Sequence, residues 1–165
     1  MNPRARAAIV AATIVILDRL TKIAILGSFP PHELIPIIPG ILNIVHAENP
    51  GAAFSMLAEA SPLIRKLVLI GLSSAVVAFI GVLLWRNPKQ ATAANDLLMQ
   101  WALALVFGGA LGNLIDRIFR GTVTDFIQVF IGSYEFPSFN VADSAITIGA
   151  GLLIIELLQN RKTAA

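Results

Sequence analysis

The chain has 165 residues, 56% of them hydrophobic and only 13% charged, with a mean hydropathy of +0.79. Soluble domains carry about a quarter charged residues, so the composition excludes that class and points to one integral membrane domain over residues 1–165. The small net charge of +2 and the absence of cysteine set aside nucleic-acid partners, disulfides, thiolate metal sites and a cysteine nucleophile.

The first apolar run covers residues 7–26, after Arg4 and Arg6. Its basic start resembles a secretion signal, but the run meets Asp18, Arg19 and Lys22 and has no small-residue cleavage site, so a retained helix is expected. Three central charges cost about 2.5 to 3.5 kcal/mol each on an insertion scale, while each Ile, Leu or Val returns only about 0.3 to 0.6. The span becomes viable if Asp18 and Lys22, at i and i+4, pair on one helix face. Residues 27–66 form an outer loop, because Pro30, Pro31, Pro36 and Pro39 break any helix. Within it ILNIVHAEN reads as a strand and AENPGAAFSML as a short interfacial helix. Further spans follow at 67–84, 97–115 and 141–158, with a hinge over 85–95. The second outer loop, 116–140, contains GTVTDFIQVFIGSYEF, whose alternation suits a strand pairing with the first.

Four spans put both termini on one side. Lys and Arg divide six against six between the two faces. Setting aside Arg19, Lys22 and Arg117 as embedded and partnered leaves six against three, which places the termini in the cytoplasm and both long loops outside. All the unusual polar residues then fall at the outer face: Asp18 and Lys22, the loop around Asn49, then Asn113, Asp116 and Arg117, then Asp125, then Asn140 and Asp143. Asn113, Asp116 and Arg117 share a helix face, as do Asn140 and Asp143.

The chemistry is narrowed by what is missing. His32 and His46 form no HExxH, and there is no GxSxG elbow, so zinc and serine hydrolysis find no support. No cofactor or metal is expected. Two nearby aspartates, in contrast, can share a proton and activate a water as a unit. On the residues alone, catalysis and helix capping are evenly matched for Asp125 and Asp143. An ion pair between Asp116 and Arg117 anchoring the third span is favoured over direct catalysis. Gly108 and Gly112 form a GxxxG suited to close packing within the bundle. Asn49, Asn113 and Asn140 each have a bland reading as ties for loop backbone. His32 and His46 read as loop residues without a role, Trp85 as an interfacial anchor, and Trp101 as lipid-facing or packed.

In these blocks the sequence resembles the bacterial lipoprotein signal peptidases (signal peptidase II). The match is collinear: DRLTK at Asp18 to Lys22, NPGAAFS at Asn49 to Ser55, GGALGNLIDR at Gly108 to Arg117, GTVTDFI at Gly121 to Ile127, and FNVADSAI at Phe139 to Ile146. The resemblance implies an all-α membrane protein with a small extracytoplasmic β element: a four-transmembrane-helix bundle with a β-cradle and a short interfacial helix. It implies an aspartic endopeptidase of the bacterial cytoplasmic (inner) membrane, cutting diacylglyceryl-modified prolipoproteins just before the lipidated cysteine and inhibited by globomycin. Membrane lipid would be its other partner, and it would act as a monomer. The catalytic pair maps onto Asp125 and Asp143. Supporting or lining positions map onto Asp18, Lys22, Asn49, Gly51, Asn113, Asp116, Arg117, Asn140 and Ala142. Thr124 stands where a second valine is common, and Glu48 and Pro50 flank Asn49 where less charged or more flexible residues are frequent, which touches substrate preference rather than activity. The rival readings are an ion- or proton-coupled carrier, which needs polar residues through the whole membrane depth, and a non-enzymatic lipid-binding subunit.

Overall fold

The computed structural model describes residues 1–51, 61–86 and 94–163. Its order is α1 (Pro3–Ser28), β1 (Leu34–Ile38), β2 (Leu42–Asn49), α2 (Pro62–Arg86), α3 (Ala94–Phe119), β3 (Val123–Ile131), β4 (Tyr134–Glu135) and α4 (Val141–Thr163). The expected interfacial helix over residues 47–57 starts instead as strand, Ala47–Asn49 belonging to β2, while its residues 52–57 and most of the hinge, 87–93, lie outside the described residues.

The protein is mostly helical, with a small antiparallel sheet. Among the described residues three stretches are long and apolar enough to cross a membrane: Pro62–Trp85, Leu97–Phe119 and Val141–Gln159. The α1 helix matches them in length but carries Asp18, Arg19 and Lys22. It starts where its sequence dictates. The Asn2 side chain accepts from the Arg4 amide at 3.0 Å, and Pro3 occupies the first turn, where its missing N–H costs nothing. The α2 helix leaves almost all of its apolar surface, Leu67, Leu72 and Phe79 included, uncovered by protein, as suits a helix solvated by lipid. Near its end Arg4 lies 4.7 Å over the Trp85 ring and donates to the Trp85 carbonyl at 2.9 Å, joining the start of α1 to the end of α2.

The α3 helix is the centre of the bundle and packs against the other three. Its glycines allow this. A Cβ on Gly108 would stand 2.9 Å from the Ala11 carbonyl oxygen, and one on Gly112 would stand 2.8 Å from Asp18 Oδ2. A Cβ on Gly109 would strike the Ala142 carbonyl oxygen. The GxxxG therefore serves contacts inside the bundle, as the sequence suggests. Gly109→Ala should push the head of α4 off α3, costing about 1–3 kcal/mol as overpacking does together with most activity. Thermal unfolding and substrate cleavage by that variant read both effects, and wild-type behaviour in both would contradict this packing.

The sheet order is β1-β2-β3-β4, antiparallel throughout. The ILNIVHAEN stretch is a strand, as expected, and pairs with β3. The β1 strand is an addition to the sequence reading. It runs through Pro36 as an edge strand, where a residue with no N–H loses no ladder bond. Helix ends also move outward: α3 continues to Phe119, so Asp116 and Arg117 lie in the helix rather than in the loop, and α2 begins at Pro62 rather than Leu67. Past β4 the chain returns to β3, where Phe126 and Ile127 both donate to the Phe139 carbonyl, at 3.0 and 2.9 Å, and Phe139 donates back to Ile127 at 3.0 Å. That bridge delivers the head of α4 to the middle of β3.

Candidate active site

Two polar layers meet at the sheet end of the bundle. The deeper one centres on Lys22, which is wholly buried. Its ammonium lies 2.8 Å from Asp18 Oδ2, 2.7 Å from Asp116 Oδ2 and 3.1 Å from Asn113 Oδ1. Asp18 and Lys22 pair as expected from their i, i+4 spacing. Asp116 does not pair with Arg117. Neighbours in sequence point about 100° apart around a helix, and Asp116 turns instead to Lys22 and to Arg19 of α1. Arg117 donates to Ser73 of α2 at 3.4 Å and faces the charges of Asp143, Asp125 and Asp116. The other oxygen of Asp18 accepts from the Ala142 amide at 3.1 Å, linking α1 to α4 across 124 residues.

The second layer holds Asp125 and Asp143, with Asn140 between them. Asn140 and Asp143 form a reciprocal cap. Asp143 N–H donates to Asn140 Oδ1 at 2.9 Å, and Asn140 N–H donates to Asp143 Oδ2 at 3.3 Å, two helix-start donors satisfied at once. The capping reading of Asp143 is thus correct as geometry. The Asn140 side-chain amide donates to Asp125 Oδ1 at 2.7 Å and has longer contacts of 3.3 Å with Asn113 Oδ1 and the Thr124 carbonyl. Two hydrogens facing three acceptors leave the second shared. Asn113 donates to Asp143 Oδ1 at 2.7 Å, and Asn49 donates to Asp125 Oδ2 at 2.9 Å. Asn49 Oδ1 accepts from Gly51 N–H at 2.8 Å, where Gly51 takes a φ of 97° that a side chain resists. The sequence-expected positions therefore meet from five elements, α1, β2, α3, β3 and α4, and from the turn after β2.

Burial pushes the Asp125 carboxyl up to about 6, and the Asp143 charge adds to it, against the amides of Asn49 and Asn140 and the Lys22 ammonium. A carboxyl that binds its proton more tightly when folded contributes stability in full below about pH 4, and that contribution is lost as pH rises through about 6. Relative to Asp125→Asn, the wild type should lose on the order of 3 kcal/mol between those limits. Paired thermal melts across pH check this; parallel curves would show that Asp125 ionises normally.

Sequence reading missed a cluster on the back of the sheet. Glu48 accepts from Arg120 Nη2 at 2.6 Å and from Thr122, and lies 3.2 Å from His46 Nε2. His46 is a buried strand residue rather than a loop residue. Its Nδ1 lies 2.7 Å from the Phe29 carbonyl, which only accepts, so Nδ1 carries a proton. The i, i+2 spacing of His46 and Glu48 on a strand was the available signal. Although burial opposes it, bonds from Thr122 and His46 and the charge of Arg120 hold the Glu48 carboxyl below its usual range.

Apolar helices capped by a buried carboxylate and amide cluster define a membrane protein with a polar site at one end of its bundle, and the solved structures it resembles are bacterial membrane enzymes. One, solved by the in meso method at 2.3 Å resolution, aligns with a TM-score of 0.83 and 34% identity over 98% of this chain and 92% of the other. A second, at 1.9 Å, gives 0.79 and 36% over 93% of each. The chain belongs to the signal peptidase (SPase) II family, whose profile it matches over residues 10–159. It is 42% identical to the lipoprotein signal peptidase of Desulforapulum autotrophicum across 98% of both chains, and 42% identical to that of Syntrophus aciditrophicus across 93% of this chain and 92% of the relative. Membership makes the chain a peptidase.

Proposed function

We propose that the protein is an aspartic endopeptidase that removes the signal peptide from diacylated prolipoproteins, with Asp125 and Asp143 as the reacting pair. The observation that carries this reading is the position of Asn140, bonded to both carboxylates at once. Two carboxyls held by one residue, Asp125 by its side-chain amide and Asp143 by its backbone N–H, can share a proton between them. The ionised partner takes a proton from water as the oxygen adds to the scissile carbonyl. The protonated partner donates to the developing oxyanion. Collapse of the tetrahedral adduct breaks the C–N bond, the amine leaves with a proton, and the acyl half departs as a carboxylic acid. The carboxyl pushed up to about 6 is suited to exchange protons near neutrality.

In this reading the whole chain is one membrane domain and α1 is a fourth span, its charges neutralised against α3. Both termini are cytoplasmic, and the sheet forms a cradle at the outer face of the bacterial cytoplasmic membrane. The protein works as a monomer. The signal helix lies against apolar walls of the bundle, and the cut falls just before the lipidated cysteine. A globomycin-type peptide would compete for the same groove. The test is purified protein incubated with a diacylated prolipoprotein, alongside Asp125→Asn and Asp143→Asn, with products read by mass spectrometry. Release of a fragment starting at the lipidated cysteine is expected from wild type alone. Intact substrate with wild type, or full cleavage by either variant, overturns the assignment.

A further inference from the structure

The site hangs on the end of a ladder, which is where a ladder frays. Asn49 forms the last rung of β2 against Val123, and the chain then turns away through Gly51. Strand alternation puts Asn49 and Asp125 on the face toward the helices and His46, Glu48, Thr122 and Thr124 on the reverse face. There the Glu48 carboxylate gathers Arg120 at 2.6 Å, Thr122, and a longer contact with Thr124 at 3.5 Å, with His46 at 3.2 Å. Arg120 and Thr122 flank Gly121, which holds the turn from α3 into β3 at a φ of 84°. Through His46 the same cluster reaches the Phe29 carbonyl at the end of α1. One carboxylate thereby binds β2 to the α3–β3 turn and, by one more link, to α1. An isolated exposed ion pair contributes little; here charge, hydroxyl and a buried imidazole converge on a half-buried group.

We infer that Glu48 is a positioning residue for the reaction: by latching the α3–β3 turn to the reverse face of β2, it holds the Asn49 amide against Asp125. The inference rests on the two-aspartate reading and assigns Glu48 no contact with substrate. Its effect must run through Asn49, and that separates it from a general role in folding.

The experiment is a double-mutant cycle in cleavage of a diacylated prolipoprotein, with wild type, Glu48→Ala, Asn49→Ala and the double variant, and Asp125→Asn as reference. Losing a hydrogen bond to a charged group corresponds to about a tenfold fall in kcat/KM, so each single variant should fall by about that factor. The double variant should fall no more than about twofold below Asn49→Ala, because the two act on one contact. Full additivity, or an undiminished Glu48→Ala, overturns the inference. Should Glu48→Ala fail to fold, Thr122→Val removes one strand of the latch and carries the same cycle at smaller amplitude.

The pH profile supplies an independent sign. Asp125 faces Asp143, Lys22 and Arg117, and Glu48 faces His46 and Arg120. Deleting the Glu48 charge directly would move the limb of kcat/KM that Asp125 sets to lower pH, whereas releasing the Asn49 amide moves it to higher pH. An upward shift that disappears in the Asn49→Ala background is expected; a downward shift overturns the inference. If Asp125→Asn cleaves like wild type, the two-aspartate reading itself has failed. If Asp125→Asn is inactive while Glu48→Ala cleaves like wild type, only the latch has failed.

Discussion

Asparagine at Asp125 or at Asp143 should leave a folded protein whose cleavage rate falls by roughly 10³–10⁴-fold, the upper part of the range for general acid–base groups. The two variants should be about equally impaired, because a pair that shares one proton is disabled by the loss of either member. Each substitution also turns an acceptor oxygen into a donor. Asp125 accepts from Asn49 and Asn140, and Asp143 from Asn113 and the Asn140 backbone, so one amide in each set would face another N–H. Single-turnover cleavage together with a melting curve separates lost chemistry from lost fold. A variant that retains a tenth of the wild-type rate would remove its aspartate from the reaction.

The second large effect concerns stability. Lys22→Met should cost about 3–5 kcal/mol, the usual penalty for removing one partner of a buried ion pair. The ammonium is shared by Asp18 and Asp116, both almost wholly buried. Arg19 still reaches Asp116, so Asp18 carries most of the loss. Adding Asp18→Asn to the variant removes the stranded charge and should restore part of the stability. For a chain of this size the single variant should melt about 10 °C lower. Activity should fall as well, since Lys22 orients Asn113, which in turn holds Asp143. Melting within a couple of degrees of wild type would mean the cluster is already neutral.

Much of this was legible in the chain. Membrane class follows from composition, the pairing of β2 with β3 follows from β-branched content and alternation, and the site positions follow from five short blocks in order. What stayed hidden has specific causes. The β1 strand reads as a helix breaker because Pro36 obscures it, and only edge pairing makes it a strand. Asp116 and Arg117 invite a local ion pair because they are adjacent, yet helix geometry points them apart: Arg19, a partner of Asp116, lies 97 residues earlier, and Ser73, which accepts from Arg117, lies 44 earlier, separations that no local spacing encodes. The same charges suggested that α3 ends at Ile115, whereas paired charge is tolerated inside a bundle and the helix continues. Glu48 looked like a departure from the family pattern. Its meaning lay in Arg120 and Thr122, 72 and 74 residues away, which only the folded sheet brings near.

The bond from the Ala142 amide to Asp18 joins the first helix to the last. Chains are made from the N-terminus onward, so a nascent chain lacking α4 has Asp18 without one of its partners, Asp125 without the amide of Asn140, and no Asp143. If Asp125 and Asp143 form the reacting pair, the membrane meets an inert bundle during biogenesis, and the power to cut peptides arrives only with the final helix.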